Sequence, residues 1–506
     1  MADVVLGIDC STTACKAVAW DRDGNAVGEG RASFEELAPQ PGWHEQRAPD
    51  WWQSLRTAVT ELMEELDADQ VKAIGITHQR ESFVPLDGEN EPLRNGILWN
   101  DERSREQLDT LADRFGGDHI HQVTGRPLSM TQSLPKLLWL REHEPEALER
   151  AERVVEVHAY LVQRLTGEWI TSAGSADSMG IFDMQEGHWD DELVEGVGLR
   201  RDQLVETRPP GDVLGEVRGD VASELGLGEG VPVVAGIGDG QAACLGAGVH
   251  RPGLSYFNLG TAVTGGPISN EYVVTSSCRT IYGGIPGTYV LESVLRGGVA
   301  TVAWFMDAFS QHSGDDAFER YEREMADLPP GADGLVVVPY WNTVMNPYWD
   351  PEASGITVGW RSSHTPAHFL RAIEEGILFE HRLAMDGIVE TSGEPIERHI
   401  ILGGGSNSDS WCQIAADVLG APIVRASTVE ATNLGAGILA AAGIGWYDDV
   451  ATAAEAMTAT SDEFEPQTES QQRYDELFNQ VYRPLYPALT EPLQALEALR
   501  LAGRRG

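Results

Sequence analysis

One pattern of residues occurs twice in the chain, about half its length apart, and constrains the fold more than any other feature. The segment GIDCSTTA (residues 7–14) is an apolar strand that ends in a Thr-rich turn, and NLGTAVTGG (258–266) has the same form. Predicted strands and helices alternate between them, as in DWWQSLRTAVTELMEEL (50–66), whose apolar residues have helical spacing. Because 506 residues are too many for one hydrophobic core, we expect two α/β domains of similar design, residues 1–250 and 251–506.

The chain is strongly acidic. Its 36 basic and 79 acidic residues give a formal net charge of −43, which argues against nucleic acid and against an anionic membrane surface as partners. Hydrophobic residues make up 42% of the chain, so the composition is that of a folded protein. Because salt screens self-repulsion, we interpret the charge as an adaptation to a high-salt cytoplasm; an acidic mesophilic enzyme with extra solubility is the alternative.

The cysteines and the apolar runs favour a cytoplasmic location. The five cysteines include no CxxC pair and no zinc spacing, which predicts free thiols in a reducing compartment. The first strand begins by Val4, without the charged segment of a signal peptide before it. The longest run of low polarity, residues 434–446, is too short and too rich in glycine to span a bilayer, so we expect no membrane partner.

The first turn has the composition of a phosphate site. Small residues let backbone N–H groups approach an anion, and hydroxyl groups add donors. Here Asp9 ends the strand, Thr12 and Thr13 follow, and Lys16 lies behind them. The chain has three lysines among its 36 basic residues, so a lysine at this place indicates a use for a compact ammonium; for Lys136 we expect a structural role, its amine bridging carbonyl or carboxylate oxygens. A simple hairpin could have the same residues, and no P-loop or Rossmann motif is present.

A second candidate for chemistry is Asp239, in GIGDGQAACLGAG (236–248). It ends a predicted buried strand and precedes a helix of small residues. A carboxylate there could accept a proton, and the helix N-terminus would keep it ionised. The alternative is a structural Asp-Gly turn.

Segments in order along nearly the whole chain resemble the FGGY family of carbohydrate kinases, within the actin, hexokinase and heat-shock ATPase group. The segments are GIDCSTTACK, THQRESFVPLD, ILWNDERS, SLPKLLWLREH, GIGDGQAACLG, YFNLGTAVTGG, ITVGWRSSHTPAHFLRAIEEGILFEHR, ILGGGSNSDSWCQIAADVLGAPI and EATNLGAGILAA. The resemblance implies an α/β fold of two actin-like (ribonuclease H-like) domains around a central catalytic cleft.

The resemblance also implies an ATP-dependent sugar kinase that uses Mg²⁺. Asp239 would be the general base, taking a proton from a primary hydroxyl as that hydroxyl attacks the γ-phosphate of ATP. Asp9, together with Asp239, would hold Mg²⁺ through the waters that this hard ion keeps. The residues implied to bind ATP are Thr12, Thr13 and Lys16 from the first turn, Gly260 and Thr261 from the second, and Gly404, Gly405, Ser406 and Asn407 along the adenosine.

The sugar or polyol would be held mainly by residues of the first half of the chain. Those implied to bind it are Gln79, Arg80, Glu81, Trp99, Asp101 and Asp239. An exposed pair on a strand is the alternative for Arg80 and Glu81. Trp99 would cover an apolar sugar face or pack against protein, and Asp101 would take a hydroxyl or brace Arg103.

Departures from the family pattern leave the acceptor open. The first turn reads D-C-S-T-T where glycerol kinases have D-Q-G-T-T, yet THQRESFVPLD carries their Arg–Glu pair. Gly240 and Gln241 stand where many xylulose kinases have Asn and Ala. A ketopentose such as xylulose is the first choice of acceptor, followed by ribulose and by glycerol or erythritol. An actin-like or chaperone-type ATPase without a sugar substrate is the alternative from another class, and a homodimer is the assembly that we consider.

Overall fold

Two large β-sheets, one in each half of the chain, form the frame of the protein. The computed structural model describes residues 2–312, 314, 316–428 and 430–504. No helix within these ranges is long and apolar enough to cross a membrane. All five cysteines are buried free thiols, as the sequence predicts.

Strands and helices alternate along most of the chain. The strands are β1 Val4–Cys10, β2 Ala14–Trp20, β3 Ala26–Ser33, β4 Glu45–Gln46, β5 Val71–His78, β6 Phe83–Leu86, β7 Gly96–Ile97, β8 Arg153–Glu156, β9 Ile170–Ser172, β10 Phe182–Asp183, β11 His188–Trp189, β12 Glu206–Arg208, β13 Val213–Glu216, β14 Pro232–Gly238, β15 Leu254–Leu259, β16 Val263–Ser269, β17 Arg279–Tyr282, β18 Tyr289–Leu295, β19 Val336–Val338, β20 Ile356–Val358, β21 Arg398–Leu402, β22 Ile423–Ala426 and β23 Thr460–Phe464. The α-helices are α1 Ala48–Leu62, α2 Arg105–Phe115, α3 Gly117–Thr124, α4 Ser133–His143, α5 Pro145–Arg150, α6 Val157–Thr166, α7 Ala173–Ala176, α8 Asp191–Gly196, α9 Gly219–Leu225, α10 Asp239–Gly246, α11 Val299–Ala308, α12 Ala317–Met325, α13 Pro366–Ser392, α14 Asp409–Leu419, α15 Ala431–Gly443, α16 Val450–Met457, α17 Thr468–Leu477 and α18 Arg483–Arg504.

The two main sheets are built in the same way. The first has the order β13-β14-β5-β1-β2-β3, in which β1 pairs antiparallel with β2 and parallel with β5. The second has the order β17-β18-β16-β15-β21-β22-β23, in which β15 pairs antiparallel with β16 and parallel with β21. The predicted fold class, two actin-like α/β domains, is confirmed by this repeat. The boundary predicted at residue 250 lies in the connection between α10 and β15.

Two helices of small residues form the layer behind the first sheet. Helix α15 packs so closely that a Cβ at Gly7 would be 2.2 Å from the carbonyl oxygen of Asn433, and one at Gly75 would be 2.1 Å from that of Ala436. Helix α10 packs on α15 just as closely, since a Cβ at Gly435 would be 2.1 Å from the carbonyl oxygen of Ala242. Glycine and alanine are required because the backbones approach to contact distance. This packing brings the last part of the chain against the first sheet.

One segment differs from its predicted conformation. The segment HAYLVQRLTGEWITSAGSADSMGIFD (158–183) predicts a helix followed by extended structure, but after α6 only β9 and β10 are extended there. The hydroxyl of Ser172 caps α7 by accepting from the N–H of Gly174, and a 3-10 turn over Asp177–Met179 follows. The local cap overrides the extended pattern and places the carboxylate of Asp177 in the interior.

Candidate active site

A cleft of about 700 Å³ is lined by residues from both halves of the chain. Its wall includes Arg80, Glu81, Trp99 and Asp239 from the N-terminal half and Thr261, Arg279 and Arg296 from the C-terminal half. A second lobe of about 280 Å³ adjoins it and shares Trp99, Thr131 and Arg296 with it. A concave site of this size with a few converging polar groups is typical of small-molecule binding.

Asp239 lies on the cleft wall at the start of α10. Strand β14 ends at Gly238 and the helix begins at Asp239, so the Asp-Gly turn considered as an alternative is replaced by a helix start. Oδ1 of Asp239 accepts a hydrogen bond from the N–H of Gly240 at 2.8 Å. Burial raises the pKa of Asp239 to about 6, while the charge of Arg80 lowers it and that of Glu292 raises it. The carboxylate is therefore ionised at neutral pH and close enough to neutrality to accept a proton.

A second carboxylate, Asp9, lies close enough to Asp239 for their charges to interact. Its Oδ1 is buried and has no hydrogen-bond partner among the residues that the structure describes. Burial above all, and then the charges of Asp239 and Glu430, raises the pKa of Asp9 to about 8, against the opposing charge of Lys16. A covered, unpartnered carboxylate next to others has the chemistry of a ligand for a divalent cation.

Arg80 and Glu81 follow β5 and are buried, with exposures of 2% and 4%. The NH2 group of Arg80 is 2.6 Å from Oδ1 of Asp177, and Oε1 of Glu81 is 2.6 Å from the NH1 group of Arg126. Burial alone would raise the pKa of Glu81, but Arg80, Arg279 and Arg126 together lower it. The two residues are thus paired buried charges on the cleft wall, and not an exposed pair on a strand.

The C-terminal half supplies a second buried ion pair. Arg279 donates through Nε to Oε2 of Glu292 at 2.5 Å, and its NH1 group is 3.5 Å from Oε1 of Glu81. The hydroxyl of Tyr256 donates to Oε1 of Glu292 at 2.5 Å. A Cβ at Gly240 would be 2.2 Å from the same oxygen, so glycine is required beside Glu292. The pair therefore contacts both Glu81 and the first turn of α10.

Sequence reasoning missed the residues that complete this network. They are Arg126, Asp177, Gln241, Arg279 and Glu292. Gln241 accepts from Arg80 and donates to the carbonyl of Gly174 at 2.9 Å, which joins the first turn of α10 to the N-terminal wall. One signal was present in the sequence, because Glu292 interrupts the apolar strand YVLESVL.

Two residues predicted to bind the sugar are occupied by protein partners. Gln79 donates through Nε2 to Oε1 of Gln46 at 2.8 Å and accepts from the hydroxyl of Ser82 at 3.2 Å. Asp101 accepts two hydrogen bonds of 2.8 Å from Arg103, so it braces that arginine, the second of the two roles expected for it. Gln79 is absent from the cleft wall, and Asp101 lines the adjoining lobe. The polar atoms of both residues therefore already have protein partners, and their contact with a sugar stays a prediction.

Trp99 joins the cleft wall to the first turn. Its indole Nε1 donates to the hydroxyl of Thr12 at 3.0 Å while the side chain lines the cleft. Lys136 is buried beneath it, and its Nζ donates to the carbonyl oxygens of Trp99 and Thr131 at 2.9 and 2.8 Å. The structural role predicted for this lysine, an amine that bridges carbonyl oxygens, is confirmed. Its bonds set the positions of two residues that line the cleft.

Lys16, the basic residue predicted behind the first turn, is held by carboxylates. Its Nζ is 2.8 Å from Oε2 of Glu29 and 2.8 Å from Oε1 of Glu430, and its carbonyl accepts from the amide of Asn433 at 3.1 Å. Thr13, at the tip of the turn, is exposed. The turn therefore presents hydroxyl groups at the surface, while the ammonium group of Lys16 behind it is paired with two carboxylates.

The second turn and the glycine segment lie on the C-terminal side. The carbonyl oxygens of Gly260 and Thr261 accept from the first N–H groups of α11, at 2.9 and 3.1 Å, and Thr261 is exposed. Gly404–Asn407 form a 3-10 turn beside a cavity of about 420 Å³. Gly404, Gly405 and Asn407 line this cavity, whereas Ser406 is buried and donates its hydroxyl to the carbonyl of Gly403 at 2.7 Å.

Comparisons with known proteins agree with this arrangement. Residues 4–246 match the N-terminal domain, and residues 256–444 the C-terminal domain, of the FGGY family of carbohydrate kinases. The chain is 27% identical to the xylulose kinase of Bacillus subtilis over 503 residues (98% of this chain and 99% of the relative) and 31% identical to the glycerol kinase of Methylibium petroleiphilum (88% and 91%). The structure of ligand-bound xylulose kinase from Lactobacillus acidophilus has a TM-score of 0.92 at 23% identity, covering 98% of this chain and 100% of that one. The chain therefore belongs to the FGGY family of carbohydrate kinases, phosphotransferases with an alcohol group as acceptor.

Proposed function

We propose that the protein transfers the γ-phosphate of ATP to a primary hydroxyl of a ketopentose such as xylulose, with Asp239 as the general base. The observation that carries the proposal is the placement of Asp239, a carboxylate with a pKa raised to about 6, on the wall of a cleft lined by both halves. A base of this strength suits proton abstraction at neutral pH. Phosphoryl transfer asks little more of a protein than positioning and charge neutralisation.

The reaction balances with the residues at hand. The acceptor oxygen forms a bond to the γ-phosphorus as the bond from that phosphorus to the bridging oxygen of ADP breaks. The hydroxyl proton passes to the carboxylate of Asp239, and ADP leaves with the electron pair of the broken bond. Glu81 can accept from acceptor hydroxyls and Arg279 can donate to them, since both line the cleft. Trp99 would cover an apolar face of the acceptor.

Asp9 and Asp239 are the residues that would hold Mg²⁺. The buried Oδ1 of Asp9, without a partner among the described residues, and the effect of the Asp239 charge on the pKa of Asp9 fit such an ion. No group of three or more metal-ligating side chains occurs within the described ranges, and Mg²⁺ commonly keeps waters and substrate phosphates among its ligands. When bound, the ion would neutralise charge on the phosphates.

The class of acceptor, a ketopentose or a short polyol, is supported by the relatives and by the buried Arg80–Glu81 pair. Xylulose kinases and glycerol kinases both appear among the relatives, at 27–31% identity in the examples above. Arg80 and Glu81 make a polar wall for a chain of hydroxyl groups, which ketopentoses and short polyols share. Xylulose is our first candidate, and ribulose, glycerol and erythritol are the alternatives to be compared with it.

A coupled assay of ADP release at high salt, with xylulose, ribulose, glycerol, erythritol or no acceptor, tests the proposal. We expect ADP release to depend on the acceptor and Asp239→Asn to lower kcat by about 10²-fold or more, as loss of a general base does. Asp220→Asn, which changes an exposed aspartate of the same half, is the matched control. Rates for Asp239→Asn within a few-fold of the wild type would contradict the base assignment, and ADP release without an acceptor would contradict the sugar kinase reaction.

A further inference from the structure

Three arginines line the cleft, and two of them are committed to buried carboxylates. Arg80 pairs with Asp177, and Arg279 pairs with Glu292. Arg296 is half-buried and lines both the cleft and the adjoining lobe, yet its side chain makes no hydrogen bond or ion pair with any residue in the described part of the chain. None of its guanidinium nitrogens is buried and none is held by a described carboxylate, so the group is open to an anionic ligand in the cleft.

The register of the second sheet places Arg296 beside the second turn. Leu295 pairs with Val263 in antiparallel register, so the next residue, Arg296, comes opposite Ala262. Ala262 directly follows Thr261, and both line the cleft together with Arg296. The arginine therefore follows the strand that pairs with β16, next to the turn that is expected to face the phosphates.

Lys16, the cation expected at the first turn, is already paired with protein carboxylates. Lys16 is bound at 2.8 Å by both Glu29 and Glu430, which cancel its charge. Of the three arginines on the cleft wall, Arg296 alone has no described carboxylate within ion-pair distance. Arg296 is thus the cleft cation whose donors remain open to a ligand.

We propose that Arg296 binds the phosphoryl group during its transfer, donating hydrogen bonds to the oxygens of the γ-phosphate. The proposal rests on the proposed kinase reaction and adds a catalytic residue to it. The charge on these oxygens needs neutralisation as the phosphorus moves between the bridging oxygen and the acceptor oxygen, and a planar guanidinium can contact two of them. Asp239 and Thr261 line the same cleft, which places the arginine with both the base and the second turn.

The test compares three variants of the full chain under saturating ATP and acceptor. Arg296→Gln is expected to lower kcat by about 10²-fold, the loss typical of one preorganised donor to a charged transition state, with the KM for the acceptor within threefold of the wild type. Arg296→Lys should recover part of this loss, because it keeps the charge without the planar fork. Arg361→Gln is the matched control, an exposed arginine of the same half that is absent from the cleft wall.

A binding measurement that needs no turnover supports or overturns the same point. Titration calorimetry of ATP and of ADP should show that Arg296→Gln weakens ATP binding about tenfold more than ADP binding, since the contact is to the γ-phosphate. Equal loss for both nucleotides, or a kcat within threefold of the wild type, would overturn the proposal. A large rise in the acceptor KM at unchanged kcat would overturn it too, and would assign the guanidinium to a carboxylate on the acceptor. If the wild type phosphorylates no acceptor, the proposed function fails instead.

Discussion

Asp239→Asn should lower kcat by about 10²-fold or more and at the same time stabilise the protein. In the folded chain burial raises the pKa of Asp239 to about 6 from an ordinary value of 3.8, so the ionised carboxylate opposes folding above that pH. The asparagine removes the charge, and its amide oxygen can still accept from the N–H of Gly240, the bond that the carboxylate makes at 2.8 Å. Stability and activity are therefore expected to change in opposite directions at this residue.

The size of the effect follows from the pKa difference. A pKa difference of about two between the folded and the unfolded chain corresponds to about 3 kcal/mol, because a pKa difference of one is worth about 1.4 kcal/mol. Since the folded pKa is the higher one, the penalty is absent below about pH 4, where Asp239 is protonated in both states, and grows until about pH 6. The stabilisation by Asp239→Asn should thus be about 3 kcal/mol at pH 7.5 and about half of that at pH 5. Relief of the charge on Asp9, whose pKa Asp239 helps to raise, adds in the same direction.

Thermal unfolding with a chelator, without nucleotide or sugar and at constant high salt, is the appropriate assay. For a cooperative unit of one half of the chain we expect the Tm to rise by about 6 °C at pH 7.5 and by about 3 °C at pH 5. Asp220→Asn is the control with the opposite sign, because Asp220 is exposed and a hydrogen bond from Arg218 lowers its pKa. A variant no more stable than the wild type, or one stabilised more at pH 5 than at pH 7.5, would refute the reasoning.

Three further predictions follow from the site and from the charge of the chain. The pH profile of kcat/KM should rise with unit slope up to about pH 6 as Asp239 loses its proton; an acid limb near pH 4 would contradict the raised pKa. Gly240→Ala places a Cβ 2.2 Å from Oε1 of Glu292, a side chain that Tyr256 and Arg279 hold in place. The substitution should lower the free energy of unfolding by about 1–3 kcal/mol and remove most of the activity. Gly219→Ala, where no atom lies within 4 Å of the added Cβ, is the control. The Tm should rise with KCl between 0.1 and 2 M, since salt screens a net charge of −43, and a constant Tm would remove the high-salt interpretation.

Local patterns predicted the frame of the fold well. The apolar runs that end at Asp9 and Asp239 are strands β1 and β14, and the small residues after Asp239 form α10 as expected. These features are local, because the spacing of apolar residues within a strand or a helix indicates which of its faces is buried. The prediction of extended structure around Asp177 was wrong for a local reason as well, since the helix cap formed by Ser172 competes with the extended conformation.

The charged network of the site could not be read in the same way. The carboxylate of Asp177 accepts from the N–H of Tyr282, 105 residues later, and Arg126 pairs with Glu81, 45 residues earlier. Nothing in the spacing of either partner indicates the other, because such pairs depend on how distant segments pack together, and the contact of Asp177 with Tyr282 depends on how the two halves dock. The resemblance to known kinases supplied Arg80 and Glu81 but not the residues that neutralise them.

The dependence on docking extends to the chemistry of Asp239. Besides burial, its pKa depends on charges of the N-terminal half and on Glu292 and Arg279 of the C-terminal half, which act in opposite directions. The backbone of strand β17, which begins at Arg279, is hydrogen-bonded to the N-terminal half. The N–H of Thr280 donates to the carbonyl of Gly125 at 2.8 Å, and the N–H of Tyr282 donates to the carboxylate of Asp177 at 3.0 Å. The strength of the base is therefore a property of the assembled cleft. An N-terminal half folded alone would lack one carboxylate that raises this pKa and one guanidinium that lowers it, and would retain the aspartate without its electrostatic setting.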